Sequence, residues 1–177
     1  MSKHIVLGIS GSIAAYKCPE LIRMFMDKDY EIIVAASEHA LNFVAKSTLE
    51  VLSKKPVLDN LFSQQQLADT YHIDIADWAN LVVVAPATAN MLGKMAHGIA
   101  DDVLSTIMVS VDCPVLVAPA MNDRMWNHIA VQENVKILKQ RGIHFVDPEI
   151  GYLACDRIGE GRLASLETIV TNAVKIL

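Results

Sequence analysis

Cysteine is scarce in this 177-residue sequence: only Cys18, Cys113 and Cys155, odd in number and far apart. That excludes a disulfide framework and a Cys-based zinc site. Clustered positive charge is missing too. The 15 basic residues are scattered and the net charge is −5, which argues against a nucleic-acid partner. No apolar run reaches the roughly 18 residues of a membrane span. The start, Ser2-Lys3-His4 followed by Ile5-Val6-Leu7, is a poor signal peptide, so a cytoplasmic, reducing setting is expected. Charged residues make up 20% and hydrophobic ones 53%, an excess that predicts strands buried on both faces and an apolar subunit interface. A homo-oligomer is therefore expected.

What is present is an alternation of apolar runs and helical segments. Strands are predicted at His4–Ile9, Glu31–Ala35, Leu81–Val84, Val115–Ala118 and His144–Val146. Ala14–Asp27 has helical spacing, with Pro19 tolerated only near the first turn. Ser47-Thr-Leu-Glu50 reads as a capping box. Asp102–Val111 and Ala130–Gln140 read as helices, the second closed by Gly142, and Ser165 caps a last helix to Leu177. This order predicts one three-layer α/β domain, a doubly wound parallel sheet over residues 1–177. Ligands of such sheets lie beyond the C-terminal strand ends. The segment 149–162, with three glycines from Gly151 on, reads as a mobile flap.

Several segments fall where ligands bind. Ser10-Gly11-Ser12-Ile13 follows the first strand and opens a helix, a place for an anion. The spacing is not that of a dinucleotide fingerprint, and the second strand ends in Ala36-Ser37 without an acidic residue for a ribose. The Ser37 hydroxyl suits a phosphate, so a mononucleotide is favoured over NAD. Ala85-Pro-Ala-Thr-Ala-Asn90 offers a small-residue surface for a flat ring, with Thr88 and Asn90 for its polar edge; a simple Pro turn is the alternative. Asn122, in Pro119-Ala-Met-Asn122, stands at a strand end where it can bind a carboxylate or carbonyl. His72 follows the polar run Ser63–Gln66; a lone His is more often structural, and the histidines show no metal-ligand spacing. Cys18 and Cys113 are read as packing residues, whereas the glycines around Cys155 suggest access.

Together, Gly11–Ala14 with Tyr16-Lys17, His72-Ile73, Ala85-Pro86 with Ala89-Asn90, Pro119–Asn122 with Met125-Trp126, and Ala154-Cys155 with Gly159 and Gly161-Arg162 resemble the homo-oligomeric flavin-containing cysteine decarboxylases. The resemblance runs along the whole chain. It implies a flavodoxin/Rossmann-like fold, bound FMN and a trimer or trimer-based dodecamer whose pocket lies between subunits. The implied reaction converts 4′-phospho-N-pantothenoylcysteine to 4′-phosphopantetheine in coenzyme A biosynthesis, through a thioaldehyde and an ene-thiol. His72 is then the base of the oxidation half, Asn122 holds the substrate carboxylate and Cys155 donates the proton in the reduction half. Ser10, Gly11, Ser12, Ile13, Ser37, Thr88, Ala89, Asn90, Met91 and Ala120 would surround FMN. Met125, Ala154 and Arg162 join Asn122 around the substrate, with no metal involved.

Asp156 departs from the resemblance, standing where such flaps have Gly after the Cys. The sequence contains no fused ligase, so the step that joins cysteine to phosphopantothenate is expected from a separate partner. Alternatives are a peptidyl-cysteine oxidative decarboxylase, which has no use for Cys155; a flavin prenyltransferase; a non-catalytic flavin-binding regulatory subunit; and a flavodoxin-like electron carrier.

Overall fold

A computed structural model describes residues 3–60 and 71–177. Five parallel strands form one sheet: β1 (Lys3–Ile9), β2 (Tyr30–Ala36), β3 (Leu81–Ala87), β4 (Val115–Pro119) and β5 (His144–Phe145), in the order β2-β1-β3-β4-β5. All four pairings are parallel. The chain order reverses between β1 and β3, which opens a crevice beyond their C-terminal ends.

Side chains alternate across this sheet, and each face builds its own core. Ile5, Leu7 and Ile9 of β1 point with Leu81, Val83 and Ala85 of β3 into one cluster. That cluster is roofed by Leu21, Ile22 and Phe25 of α1 (Cys18–Met26) and by Ile169, Val170 and Ala173 of the C-terminal helix. Val6, Val82, Val84, Val115 and Val117 face the other way, against three helices. These are α4 (Ala89–His97), α5 (Val103–Ser110) and α7 (Ile129–Gln140). A Cβ on Gly8 would lie 2.6 Å from Leu104 Cδ1, so glycine at that strand position lets α5 approach the sheet.

The predicted three-layer doubly wound class is the one observed, and the differences are local. The segment Ala14–Asp27 is split into a 3₁₀ turn over Ile13–Lys17 followed by α1, with Pro19 in the first turn of α1. No capping box forms at Ser47. Helix α2 (Lys46–Ser53) starts two residues earlier with Ala45 at its N-cap, and Glu50 instead accepts from the backbone N–H of Val57 at 3.3 Å. The true capping box is Asp102 with Ser105, at the start of α5. Helix α3 (Tyr71–Trp78) leads into β3, and its Trp78 stacks on His4 with 4.3 Å between ring centres. The run Ser63–Gln66 lies outside the described residues. After β5 come β6 (Glu149–Tyr152) and β7 (Ile158–Arg162), an antiparallel hairpin where the glycine pattern predicted a mobile loop. Ser165 caps α8 (Leu166–Ile176) by accepting from Thr168 N. Among the described residues, no helix is long and apolar enough to cross a membrane.

Candidate functional site

A cavity of about 620 Å³ occupies the crevice beyond β1, β3 and β4. Its wall comes from four places: Gly11–Lys17 after β1, Thr88 after β3, Ala120–Asn122 with Met125 after β4, and the β6–β7 hairpin from Tyr152 to Leu163. Each strand thus ends in a loop that turns a polar group or a small residue toward one space.

The β1 and β3 loops are tied together by Ser10. Its buried hydroxyl donates to Pro86 O at 2.8 Å and accepts from Thr88 N at 2.9 Å. The Ala85–Pro86 peptide bond is cis. Ser10 therefore shapes the crevice from below rather than lining it. Gly11 is glycine because a Cβ there would come within 2.5 Å of His39 Cβ, on the turn after β2. Ser12 caps the 3₁₀ turn and Thr88 caps α4, accepting from Met91 N at 3.2 Å. Ser37 sits beside this loop, its N–H donating to Ile9 O at 2.9 Å. The Ser37 Oγ is buried and has no hydrogen-bond partner among the described residues. A buried hydroxyl without a partner costs free energy, so this oxygen is available to a group that the described residues do not supply.

Asn122 is fixed at both ends of its amide. Its Oδ1 accepts from Arg124 N at 2.9 Å, capping α6 (Asp123–Trp126), which leaves the Nδ2 protons to face outward. One of them donates to Cys155 Sγ at 3.1 Å. Cys155 stands at the tip of the hairpin. Asp156 N donates to Leu153 O at 3.1 Å, and Leu153 N donates to Arg157 O at 2.8 Å. This is a β-turn followed by a left-handed residue, and Asp156 has φ +57°. Glycine takes that position without steric cost, and Asp is among the few side chains that tolerate it. The departure noted at Asp156 therefore keeps the turn.

The other thiols differ from Cys155, which is exposed. Burial pushes Cys18 up to about 12, and its Sγ donates to Ala85 O at 3.3 Å. Burial also raises Cys113. Both fit packing, not reactivity.

Of the residues singled out from sequence, Gly11, Ser12, Ile13, Thr88, Ala120, Asn122, Met125, Ala154, Cys155 and Arg162 line the cavity. Ser10 lies beneath the β1 and β3 loops, Ser37 is the N-cap residue of the turn after β2, and Ala89, Asn90 and Met91 form the first turn of α4 behind Thr88. His72 does not join them: it is half-buried on α3 and is not part of the cavity wall within one chain. Sequence reasoning missed Tyr152, Leu153 and Leu163, which line the cavity only because the hairpin folds back. An alternating Ile150, Tyr152 was the available signal for a strand there. Lys17 and Arg162 are the charged residues on the described wall.

The Flavoprotein family matches residues 1–177. The chain is 43% identical over 174 residues to the coenzyme A biosynthesis bifunctional protein CoaBC of Bacillus subtilis (strain 168), covering 98% of this chain and 43% of that protein. The Escherichia coli (strain K12) CoaBC is 43% identical over 172 residues, 97% of this chain and 42% of the relative. The chain thus spans less than half the length of these curated relatives. Among solved structures, a cysteine-to-serine mutant of PPC decarboxylase complexed with pantothenoylaminoethenethiol superposes with a TM-score of 0.89 at 31% identity, covering 99% of this chain and 98% of the other. The FMN-dependent cysteine decarboxylase SpaF follows with a TM-score of 0.85 at 28% identity, covering 98% and 95% of the two chains. Matched end to end in both sequence and fold, the chain belongs to the flavoprotein family, with the PPC decarboxylases.

Proposed function

We propose that the protein is an FMN-dependent decarboxylase that converts 4′-phospho-N-pantothenoylcysteine to 4′-phosphopantetheine in coenzyme A biosynthesis. The observation that carries this reading is the 3.1 Å contact between Asn122 Nδ2 and Cys155 Sγ on the wall of a crevice at the sheet's switch point. A carboxylate-binding amide and a thiol meet there, and cysteine decarboxylation needs both.

The residues fit FMN. The Ser37 Oγ is available to a phosphate oxygen, and Gly11, packed closely on His39, puts the loop after β1 on the cavity wall. Ser12, Ile13, Thr88 and Ala120 would frame the ring, with Ala89, Asn90 and Met91 supporting from α4. When bound, the flavin supplies the oxidation of the substrate CH₂–SH and the later return of the electrons. The oxidation matters because direct loss of CO₂ leaves a carbanion beside an amide nitrogen with nothing to delocalise it. A thioaldehyde lets that charge move onto sulfur, and the ene-thiol results.

The chain's own residues orient the substrate and move protons. Asn122 directs its remaining N–H at the substrate carboxylate and holds it in the crevice. Arg162 and Lys17 are the cations available to the substrate's anionic groups. Cys155 gives a proton to the ene-thiol carbon as the saturated thiol forms. His72 takes the proton released in the oxidation half. In this reading a neighbouring protomer delivers it, as in a trimer or a trimer-based dodecamer, which accords with its position off its own chain's cavity wall. Ile13, Tyr16 and Met125, exposed by 54%, 61% and 48%, surround the cavity mouth with apolar surface that a neighbour would cover.

Mass spectrometry of the flavin-loaded protein incubated with 4′-phospho-N-pantothenoylcysteine tests the reading. Formation of 4′-phosphopantetheine supports it. An oxidised ene-thiol as the final product, or no turnover by a flavin-loaded oligomer, overturns it.

A further inference from the structure

The hairpin glycines are placed for contact, where their sequence pattern suggested motion. A Cβ on Gly161 would fall on Met121 O, with Asn122 C and Asp123 N each 3.3 Å away. All of these are backbone atoms that cannot rotate aside. Met121 N–H also donates to Gly161 O at 2.9 Å. Two residues earlier, a Cβ on Gly159 would stand 2.8 Å from Asp123 Cβ. Strand β7 therefore lies flat on the very loop that carries Asn122.

The turn that leads into the same strand carries Cys155. Tyr152 pairs with Ile158, and Leu153 bonds to Arg157, so the turn holding the thiol is continuous with the ladder. The height of Cys155 above Asn122 is thus set where β7 touches Met121. A side chain at residue 161 would lift the strand and, with it, the turn.

We propose that Gly161 is a positioning residue for Cys155: its missing side chain seats β7 on Met121, and the seat brings the thiol within hydrogen-bond reach of Asn122. The seat rests on geometry alone. Its consequence for turnover rests on the decarboxylase reading, in which Cys155 completes the reduction half.

Gly161→Ala tests this in the flavin-loaded protein. Three results are expected. The Met121 amide exchanges with solvent about tenfold faster, while amides of β1 and β3 keep their protection. The alkylation rate of Cys155 by iodoacetamide moves to that of Asn122→Ala, and the double variant goes no further. The ratio of ene-thiol to 4′-phosphopantetheine rises by about tenfold, although substrate still reduces the flavin. An unchanged Met121 exchange rate overturns the seat. A loosened seat with the parental alkylation rate and product ratio overturns the positioning role.

Gly159→Ala serves if Gly161→Ala does not fold, because its clash is with a side chain. It should shift the same readouts less, and Asp123→Gly in the same chain should restore them; failure of that rescue overturns the proposal. A parent protein that makes no 4′-phosphopantetheine would end the decarboxylase reading instead, and the exchange and alkylation results would still decide the seat.

Discussion

Asn122 Nδ2 donates to Cys155 Sγ at 3.1 Å, joining a loop after β4 to a hairpin tip 33 residues later in the chain. The amide orientation is fixed because Oδ1 is already committed to Arg124 N. Replacing Asn122 by Asp keeps the cap and removes the donor. It also sets two carboxylates against each other when substrate enters. Substrate affinity should fall by about 2–3 kcal/mol, roughly a hundredfold. Titration of the flavin spectrum with substrate measures it, and parental affinity would remove Asn122 from carboxylate binding.

Cys155→Ser keeps the turn but offers a much weaker acid. The variant should still oxidise and decarboxylate the substrate, then stop at the ene-thiol. Product masses taken over one turnover check this. A normal yield of 4′-phosphopantetheine would show that another group delivers the proton.

His72→Asn should bind FMN and form the parental oligomer, yet lose substrate oxidation by a factor of about a hundred or more, as expected for a removed general base. Because His72 is absent from its own chain's cavity wall, mixed oligomers of the His72→Asn and Cys155→Ser variants should regain activity at sites built from one good half of each. Equally inactive mixtures, with subunit exchange verified by mass, would place both residues in one chain's site.

Asp156 holds a left-handed φ of +57° at the turn. Glycine there relieves about 1 kcal/mol of backbone strain, less about 0.5 kcal/mol for the extra freedom of the unfolded chain. Asp156→Gly should therefore protect the hairpin amides modestly more from exchange. Weaker protection would mean that the carboxylate itself supports the turn.

Away from the site, Lys94 lies 2.5 Å from both Asp101 and Asp102. Burial opposes charge on Asp102, but the Lys94 contact and the Ser105 hydrogen bonds outweigh it and hold the carboxyl below its ordinary value of 3.8. Burial likewise works against the Lys94 charge, and its two carboxylate partners prevail, holding it above 10.5. The Asp102 contribution is thus present above the ordinary carboxylate range and lost as pH falls through the depressed folded value. The Lys94 contribution is present below 10.5 and lost as pH rises through the raised one. Asp102→Ala also removes the α5 cap, so it should cost about 1–2 kcal/mol at neutral pH, or about 4 °C in Tm. The gap from the parent should shrink as pH falls from the ordinary carboxylate range through the depressed Asp102 value. A gap that is constant across pH would assign the loss to the cap alone.

Long-period signals were legible from sequence because burial repeats along a strand or helix. Ile5, Leu7 and Ile9 alternate with Val6 and Gly8, and Val82–Val84 is apolar without a break, so the buried parallel strands and their order of helices could be read directly. The small residues at strand ends, from Gly11 to Thr88 to Ala120, marked the crevice for the same local reason. The Ser47 cap failed because capping depends on the φ and ψ of one residue, and Ala45 holds the extended conformation there.

Residue types and strand ends were thus the sequence's own to determine, since each follows from a few neighbouring residues. Contacts across the chain were not. That Gly161 meets Met121, that Cys155 reaches Asn122, and that Ser37 keeps an oxygen unpartnered among the described residues are decisions of the tertiary structure. Glycine illustrates the division: its pattern in sequence cannot distinguish freedom to move from room for another backbone, and only the packed neighbour tells which is meant.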